Sequence, residues 1–332
     1  MTAAPLTDGF GRVHRSLRIS VTDRCNLRCR YCMPAEGMLW LAREELLSYE
    51  ELARVAGVLA GMGVGQLRLT GGEPLVRAGL SRLVAKLRAL AGVREIALTS
   101  NGVLLADQID GLVAAGLDRV NVSVDSLDPD RFERLTRRRD LDRVLASLAA
   151  CQRHPRLRPI KVNAVALRGL SEPEILPLAE LARRTSYVVR FIEVMPLDAP
   201  RAWRRDLVLS GAEMRAMIGA RWPLVPLEPE RASATATRWR FADGRGELQF
   251  VSSVSEPFCA SCDRLRLTAD GQLRTCLFAE RETDLRGPLR AGASDAQLGE
   301  IVRAAVLGKG PGHGMADPNW TYHGRPMSMI GG

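Results

Sequence analysis

The stretch Thr22-Asp23-Arg24-Cys25-Asn26-Leu27-Arg28-Cys29-Arg30-Tyr31-Cys32 closes the β-branched run Leu17 to Thr22 and carries three cysteines spaced Cys-x3-Cys-x2-Cys. The three thiols do not share one face of a strand, and standing directly after a strand-like run the stretch reads as a loop wrapped round something. Three sulfurs are one short of a closed structural zinc site. A cubane iron–sulfur cluster on three cysteines keeps one iron open to an outside ligand. A zinc site completed by a distant residue, and unrelated thiols, are the alternatives.

Outward from this loop, short runs of strand length recur at Leu17 to Thr22, Gln66 to Thr70, Glu95 to Thr99, Arg119 to Ser123, Ile160 to Ala166 and Val188 to Glu193. Ser48-Tyr49-Glu50-Glu51 is a capping-box start for a helix, and further helices are expected near 79–90, 107–115, 140–152 and 173–184. The βαβα alternation predicts an α/β fold with a parallel sheet. Six units are too few for a closed eight-stranded barrel, leaving a partial TIM-type barrel or a doubly wound sheet. In both, chemistry gathers at the carboxyl ends of the strands. After about residue 200 the pattern breaks into short strand-like pieces such as Glu247 to Val251, so the division is 1–205 for the barrel and 206–332 for a carboxyl-terminal region. That region holds a helix near 294–306 and the glycine-rich segment Gly308 to Gly314, which composition marks as flexible.

Length and composition bound the reading. The 332 residues correspond to about two domains or to one large α/β barrel with an appendage, and 46% hydrophobic residues suffice for a core. No apolar run approaches the ~20 residues of a membrane span, and Met1 to Arg15 lacks the apolar centre of a secretory signal, so a cytoplasmic location is expected. There the seven cysteines are reduced, and Cys151 in Leu148-Ala149-Ala150-Cys151 reads as a small buried hydrophobe. The net charge of +9 fits an anionic ligand but does not choose one. Only Lys86, Lys161 and Lys309 are lysines among 47 basic residues, so each persisting lysine draws notice. Arg137-Arg138-Arg139 follows an expected helix and reads as a solvated face or loop.

Thr70-Gly71-Gly72-Glu73-Pro74 follows the second strand, where paired glycines admit close approach of backbone to a ligand. With the cysteine loop directly after a first β-strand, the sequence resembles the radical S-adenosylmethionine superfamily over at least residues 13–200. The resemblance implies that Cys25, Cys29 and Cys32 hold a [4Fe–4S] cluster whose open iron binds S-adenosylmethionine. An electron from the cluster then yields a 5′-deoxyadenosyl radical. It further implies that Tyr31, Gly72, Ser123 and Met195 complete the S-adenosylmethionine site.

Cys259-x2-Cys262-x13-Cys276 is a second triad, again with no obvious fourth ligand. The two triads, Arg190-Phe191-Ile192-Glu193-Val194-Met195, Cys276-Leu277-Phe278 and the terminal Ile330-Gly331-Gly332 narrow the likeness to the GTP 3′,8-cyclase family, molybdenum cofactor biosynthesis protein A. This resemblance implies a second [4Fe–4S] cluster that binds the purine, GTP contacts at Arg18, Arg68, Thr99, Lys161, Arg264, Leu265 and Arg266, and a glycine-ended tail reaching the pocket. It implies removal of the ribose 3′ hydrogen and attack on C8 of the guanine, giving 3′,8-cyclo-7,8-dihydroguanosine 5′-triphosphate. A reductant protein, a downstream cyclic pyranopterin monophosphate synthase and room for a homodimer come with it, and neither nucleic acid nor membrane.

Lys161 and Asn163 alternate with Ile160 and Val162 on a strand face expected to be apolar, and an inward lysine needs an anionic partner. The nearest rival is a two-cluster radical enzyme acting on a peptide, against which Arg264 and Arg266 beside Cys262 favour a phosphorylated substrate. A zinc-stabilised nucleic-acid binder is disfavoured by scattered arginines and 5% aromatic residues. Gly61-Met62-Gly63-Val64-Gly65 stands between helix and strand in the wrong order for a dinucleotide-binding loop.

Overall fold

A computed structural model describes residues 5–315, 317 and 320–331. The first two thirds run β1 (Ser16–Ser20), α1 (Tyr49–Gly61), β2 (Gln66–Thr70), α2 (Leu80–Arg88), β3 (Glu95–Ser100), α3 (Ile109–Ala114), β4 (Arg119–Ser123), α4 (Pro129–Thr136), α5 (Leu141–Gln152), β5 (Lys161–Ala166), α6 (Glu172–Arg184) and β6 (Val188–Glu193). The capping box forms at α1, where the Glu51 amide donates to Ser48 Oγ at 3.0 Å and the Ser48 amide to Glu51 Oε2 at 2.7 Å. The remainder runs α7 (Gly211–Gly219), β7 (Leu224–Leu227), β8 (Thr237–Phe241), β9 (Glu247–Val251), β10 (Arg264–Leu267), β11 (Gln272–Arg274), β12 (Thr283–Asp284), α8 (Arg286–Arg290), α9 (Asp295–Leu307) and α10 (Met327–Ile330).

All strands form one sheet in the order β12-β11-β10-β1-β2-β3-β4-β5-β6-β9-β8-β7. From β10 through β1–β6 to β9 every pairing is parallel. The six βα units are thus extended at both edges by strands from the carboxyl-terminal region, β9 beside β6 and β10 beside β1. The antiparallel pieces lie outside these, and the segments joining β8 to β9 and β10 to β11 contain Asp243-Gly244 and Asp270-Gly271. The sheet is an open partial barrel, and the β9–β10 connection runs from one side of its seam to the other.

Side-chain alternation sorts the strands. Leu17, Ile19, Leu67, Leu69, Ile96, Leu98, Val120, Val122, Val189, Phe191, Leu248, Phe250, Leu265 and Leu267 are fully buried in the main core. Each such side chain contributes about 1.5–3 kcal/mol. The opposite faces are polar, contrary to the expectation of an apolar barrel side: Arg18 lies in register between Arg266 and Arg68, and Arg190 between Asn163 and Gln249. In place of the packed layers of branched side chains typical of a closed barrel, this one has a cationic interior.

Candidate active site

The cysteine loop is built on the end of α4, which opens on Asp128 and Pro129 and stops where Arg137 turns left-handed at φ 58°. A helix end leaves its last carbonyls without partners. Here Thr136 and Leu135 offer theirs to the amides of Arg28 and Arg30, each at 3.0 Å. Arg137 reaches back, donating from Nη1 to the carbonyls of Arg28 at 2.7 Å and Met33 at 3.0 Å. The solvated-face reading therefore holds for exposed Arg138 and Arg139 and fails for Arg137.

On the other side the loop is tied to Thr70-Gly71-Gly72-Glu73. The Gly72 amide donates to Thr22 O and the Glu73 amide to Arg24 O, each at 2.8 Å. A Cβ on Gly72 would collide with the carbonyls of Asp23 and Arg24, so the close approach requires glycine. Glu73 is buried and accepts from Ser100 Oγ at 2.9 Å and from the Asn101 amide at 2.7 Å; burial raises its carboxyl to about 7.

Cys25, Cys29 and Cys32 line one cavity of about 300 Å³, within the ~300–1,000 Å³ range of small-ligand sites. Tyr31, Gly72, Ser123 and Met195 line it too. Tyr31 donates to Asp125 Oδ2 at 2.6 Å, and Asp125 Oδ1 accepts from the Val165 amide at 2.9 Å. The same cavity is lined by Arg18, Thr99, Asn121, Asn163, Arg190, Arg264, Arg266 and the second triad, Cys259, Cys262 and Cys276. The first triad follows β1 at the carboxyl ends of the strands. The second precedes and flanks β10 at the amino end, away from the end where sequence reasoning sought all the chemistry.

Three expected contacts stand off this cavity. Leu265 lies between two inward arginines, so its side chain points into the apolar core. Arg68 packs behind Thr99, donating to its Oγ1 at 3.4 Å, and with the Asn121 amide reversed it donates to that oxygen at 2.8 Å. Lys161, at the start of β5, meets Glu230 Oε1 at 3.4 Å, and burial lowers its ammonium to about 7. Arg190 is not among the contacts expected from the sequence although it lies in Arg190-Phe191-Ile192; its charge between the apolar Val189 and Phe191 is the available signal.

The electrostatics suit an anion. Burial lowers Arg190 and Arg266 to about 9 each, with neighbouring arginines adding to the shift. Arg18 falls well below its usual range, by burial and then by repulsion from Arg266, Arg264, Arg68 and Arg190. Guanidinium groups so crowded require negative charge from a ligand. Asn163 Oδ1 is buried without a partner and offers an acceptor to a hydroxyl or N–H.

Both triads suit iron–sulfur clusters. Burial raises Cys25 to about 11 and Cys32 to about 12, and Cys29 also rises, with neighbouring acidic groups and thiols adding to the shift. At Cys262 burial also raises the thiol, but Arg264 and Lys309 overcome it and lower the value to about 7. Arg264 Nη2 lies 3.3 Å from its sulfur. Cys151 is fully buried in α5, as expected of a small hydrophobe. No helix among the described residues is long and apolar enough to cross a membrane.

An open parallel barrel with a three-cysteine loop after its first strand is the architecture of the radical S-adenosylmethionine superfamily, whose family pattern matches residues 19–182. Membership of that class implies one [4Fe–4S] cluster and S-adenosylmethionine. The pattern "Molybdenum Cofactor Synthesis C" matches residues 187–315. The chain is 48% identical over 332 residues to a GTP 3′,8-cyclase of Mycobacterium sp. strain KMS, covering 100% of this chain and 95% of that protein. It is 46% identical over 329 residues to the GTP 3′,8-cyclase of Streptomyces coelicolor, covering 98% and 96%. Among solved structures, methylornithine synthase overlaps 63% of this chain and 62% of its own, with a TM-score of 0.49 and 17% identity. The chain belongs to the GTP 3′,8-cyclase family.

Proposed function

We propose that the chain converts GTP to 3′,8-cyclo-7,8-dihydroguanosine 5′-triphosphate, by removal of the ribose 3′ hydrogen and attack on C8, as the first step of molybdenum cofactor biosynthesis. The observation that carries this reading is the single cavity that opens on both cysteine triads and has the inward arginines between them. When bound, a [4Fe–4S] cluster on Cys25, Cys29 and Cys32 supplies the electron that cleaves S-adenosylmethionine, and a second on Cys259, Cys262 and Cys276 supplies an open iron for the purine.

The chain's residues supply placement. Arg18, Arg190, Arg264 and Arg266 grip the triphosphate, for which planar guanidinium groups are matched in charge and geometry. Asn163 offers its unpartnered oxygen to a nucleoside donor. Tyr31, oriented by Asp125, lies beside the first triad where the adenosyl group is to be held. Confinement within the barrel keeps the two reacting carbons of one molecule together and excludes other hydrogen donors. Arg68 and Lys161 act through Thr99, Asn121 and Glu230 rather than from the wall of the cavity. A reductant protein and a cyclic pyranopterin monophosphate synthase are the partners this reaction calls for.

The test is anaerobic incubation of the reconstituted protein with GTP, S-adenosylmethionine and a reductant. Both 5′-deoxyadenosine and a GTP-derived cyclic nucleotide are expected. Deoxyadenosine without the cyclic product would overturn the substrate assignment alone, whereas a colourless protein with stoichiometric zinc would overturn the cluster chemistry.

A further inference from the structure

The glycine-rich segment that composition marks as flexible is pinned over the second cysteine triad. Arg12 holds it: Nη1 donates to Pro311 O at 2.8 Å and to Cys259 O at 2.9 Å, and Nη2 donates to Gly310 O at 2.6 Å. One side chain thus ties the strap to the peptide of a cluster cysteine. Arg12 is itself fixed, with Nε 2.6 Å from Asp8 Oδ2, while Asp8 Oδ1 accepts the amides of Phe10 at 2.9 Å and Arg12 at 3.0 Å. His14 Nε2 lies 3.1 Å from the same Asp8 carboxylate. The strap fits closely: a Cβ on Gly312 would lie 2.8 Å from Cys259 Cβ and 3.1 Å from its sulfur.

The strap carries Lys309, one of the three lysines in the chain. Its side chain is directed inward with 4% exposure for the residue, and Nζ meets Cys262 O at 3.3 Å, Arg264 O at 3.2 Å and Cys262 Sγ at 3.8 Å. A buried ammonium with two carbonyls and a sulfur as acceptors is balanced when that sulfur carries negative charge. Three thiolates on a [4Fe–4S] core leave a net negative charge, and reduction adds one more. A fixed cation beside a ligand sulfur therefore favours the reduced state.

We propose that Lys309, beside Arg264, is a fixed counter-charge of the second cluster and that Arg12 and Asp8 are positioning residues that lock its strap in place. This rests on the second-cluster reading above. The lysine raises the reduction potential of that cluster, and the strap screens it from water.

The experiment is an anaerobic redox titration followed by electron paramagnetic resonance, with iron and sulfide assays, on the full chain and its variants. The second-cluster signal is assigned as the one lost in Cys262→Ser. In Lys309→Met its midpoint is expected at lower potential with the first cluster unmoved, and Lys309→Arg should return most of the shift. If Lys309→Met loses the second cluster while Lys309→Arg keeps it, the charge is needed for assembly and the proposal stands. An unmoved midpoint in Lys309→Met, or loss of the second cluster in both variants, overturns it. Arg12→Gln should lose the second-cluster signal to a chelator several-fold faster; an unchanged rate would remove Arg12 and Asp8 from the positioning role. A native chain with iron and sulfide for one cluster only would instead overturn the reading on which the proposal rests.

Discussion

Arg266 donates from Nη1 to the carbonyl oxygen of Gly331, tying the end of the chain into the barrel interior. Gly331 sits at φ 77°, and a Cβ there would strike Thr70 Oγ1. The expected tail threading is thus seen at Gly331, whereas Gly332 lies outside the described residues. With ψ at 111°, Gly331→Ala adds a positive-φ backbone penalty of about 1–3 kcal/mol to that collision. GTP turnover should fall by about tenfold or more, with first-cluster iron unchanged; steady-state assay beside an iron assay checks both.

Arg190→Ala should raise KM for GTP. The guanidinium lines the cavity and is oriented by Gln249 Oε1 at 2.6 Å and 3.0 Å. Losing a charged hydrogen bond costs about 1.5–3 kcal/mol, or about 10–100-fold in kcat/KM. Equal kinetics for variant and native protein would take Arg190 out of the site.

Arg137→Ala should weaken the first cluster, since it frees the carbonyls of Arg28 and Met33 inside the cysteine loop. Iron retained after desalting should drop, whereas exposed Arg139→Ala should retain the native amount. Identical iron content in the two variants would refute the clamp.

Acid should destabilise the fold through Asp8. Burial works to raise its pKa, but hydrogen bonds from Arg12, His14 and Phe10 outweigh burial and bring it to about 2 from 3.8. A depressed carboxylate stabilises above its unfolded value, and that contribution of about 2 kcal/mol is lost as pH falls from about 4 to 2. His14 is lowered by burial, so its contribution is likewise present above the unfolded value near 6.5 and lost as pH falls. Denaturation midpoints against pH should fall less steeply for Asp8→Asn than for the native chain.

The parts of the fold legible in the sequence were those with local causes. The cysteine loop, Gly71-Gly72 and the Ser48–Glu51 box each declare themselves within a few residues, and the six strands show through their outward apolar residues. Helix α4 is expected from the sequence before Arg137 but without bounds, although Asp128-Pro129 marks its start, because it is only eight residues long and half of them are charged. The placement of β9 and β10 at opposite edges depends on pairings between residues far apart in the chain, which no local pattern encodes. Lys309 drew notice by rarity, but its glycine neighbours pointed to flexibility. Contacts from Arg12, at the other end of the chain, and from Lys309 to the carbonyls of Cys262 and Arg264 hold the segment in place.

That edge placement has a consequence for biogenesis. While the first six strands emerge from the ribosome, β1 and β6 both present unpaired parallel edges, and such edges invite association with other chains. Neither is covered until residues 247–267 have been made, and the segment joining their covers carries Cys259 and Cys262. Sealing the seam and placing two of the three cysteines of the second triad are therefore one late event, and a nascent chain stopped near residue 205 is an aggregation hazard rather than a smaller enzyme.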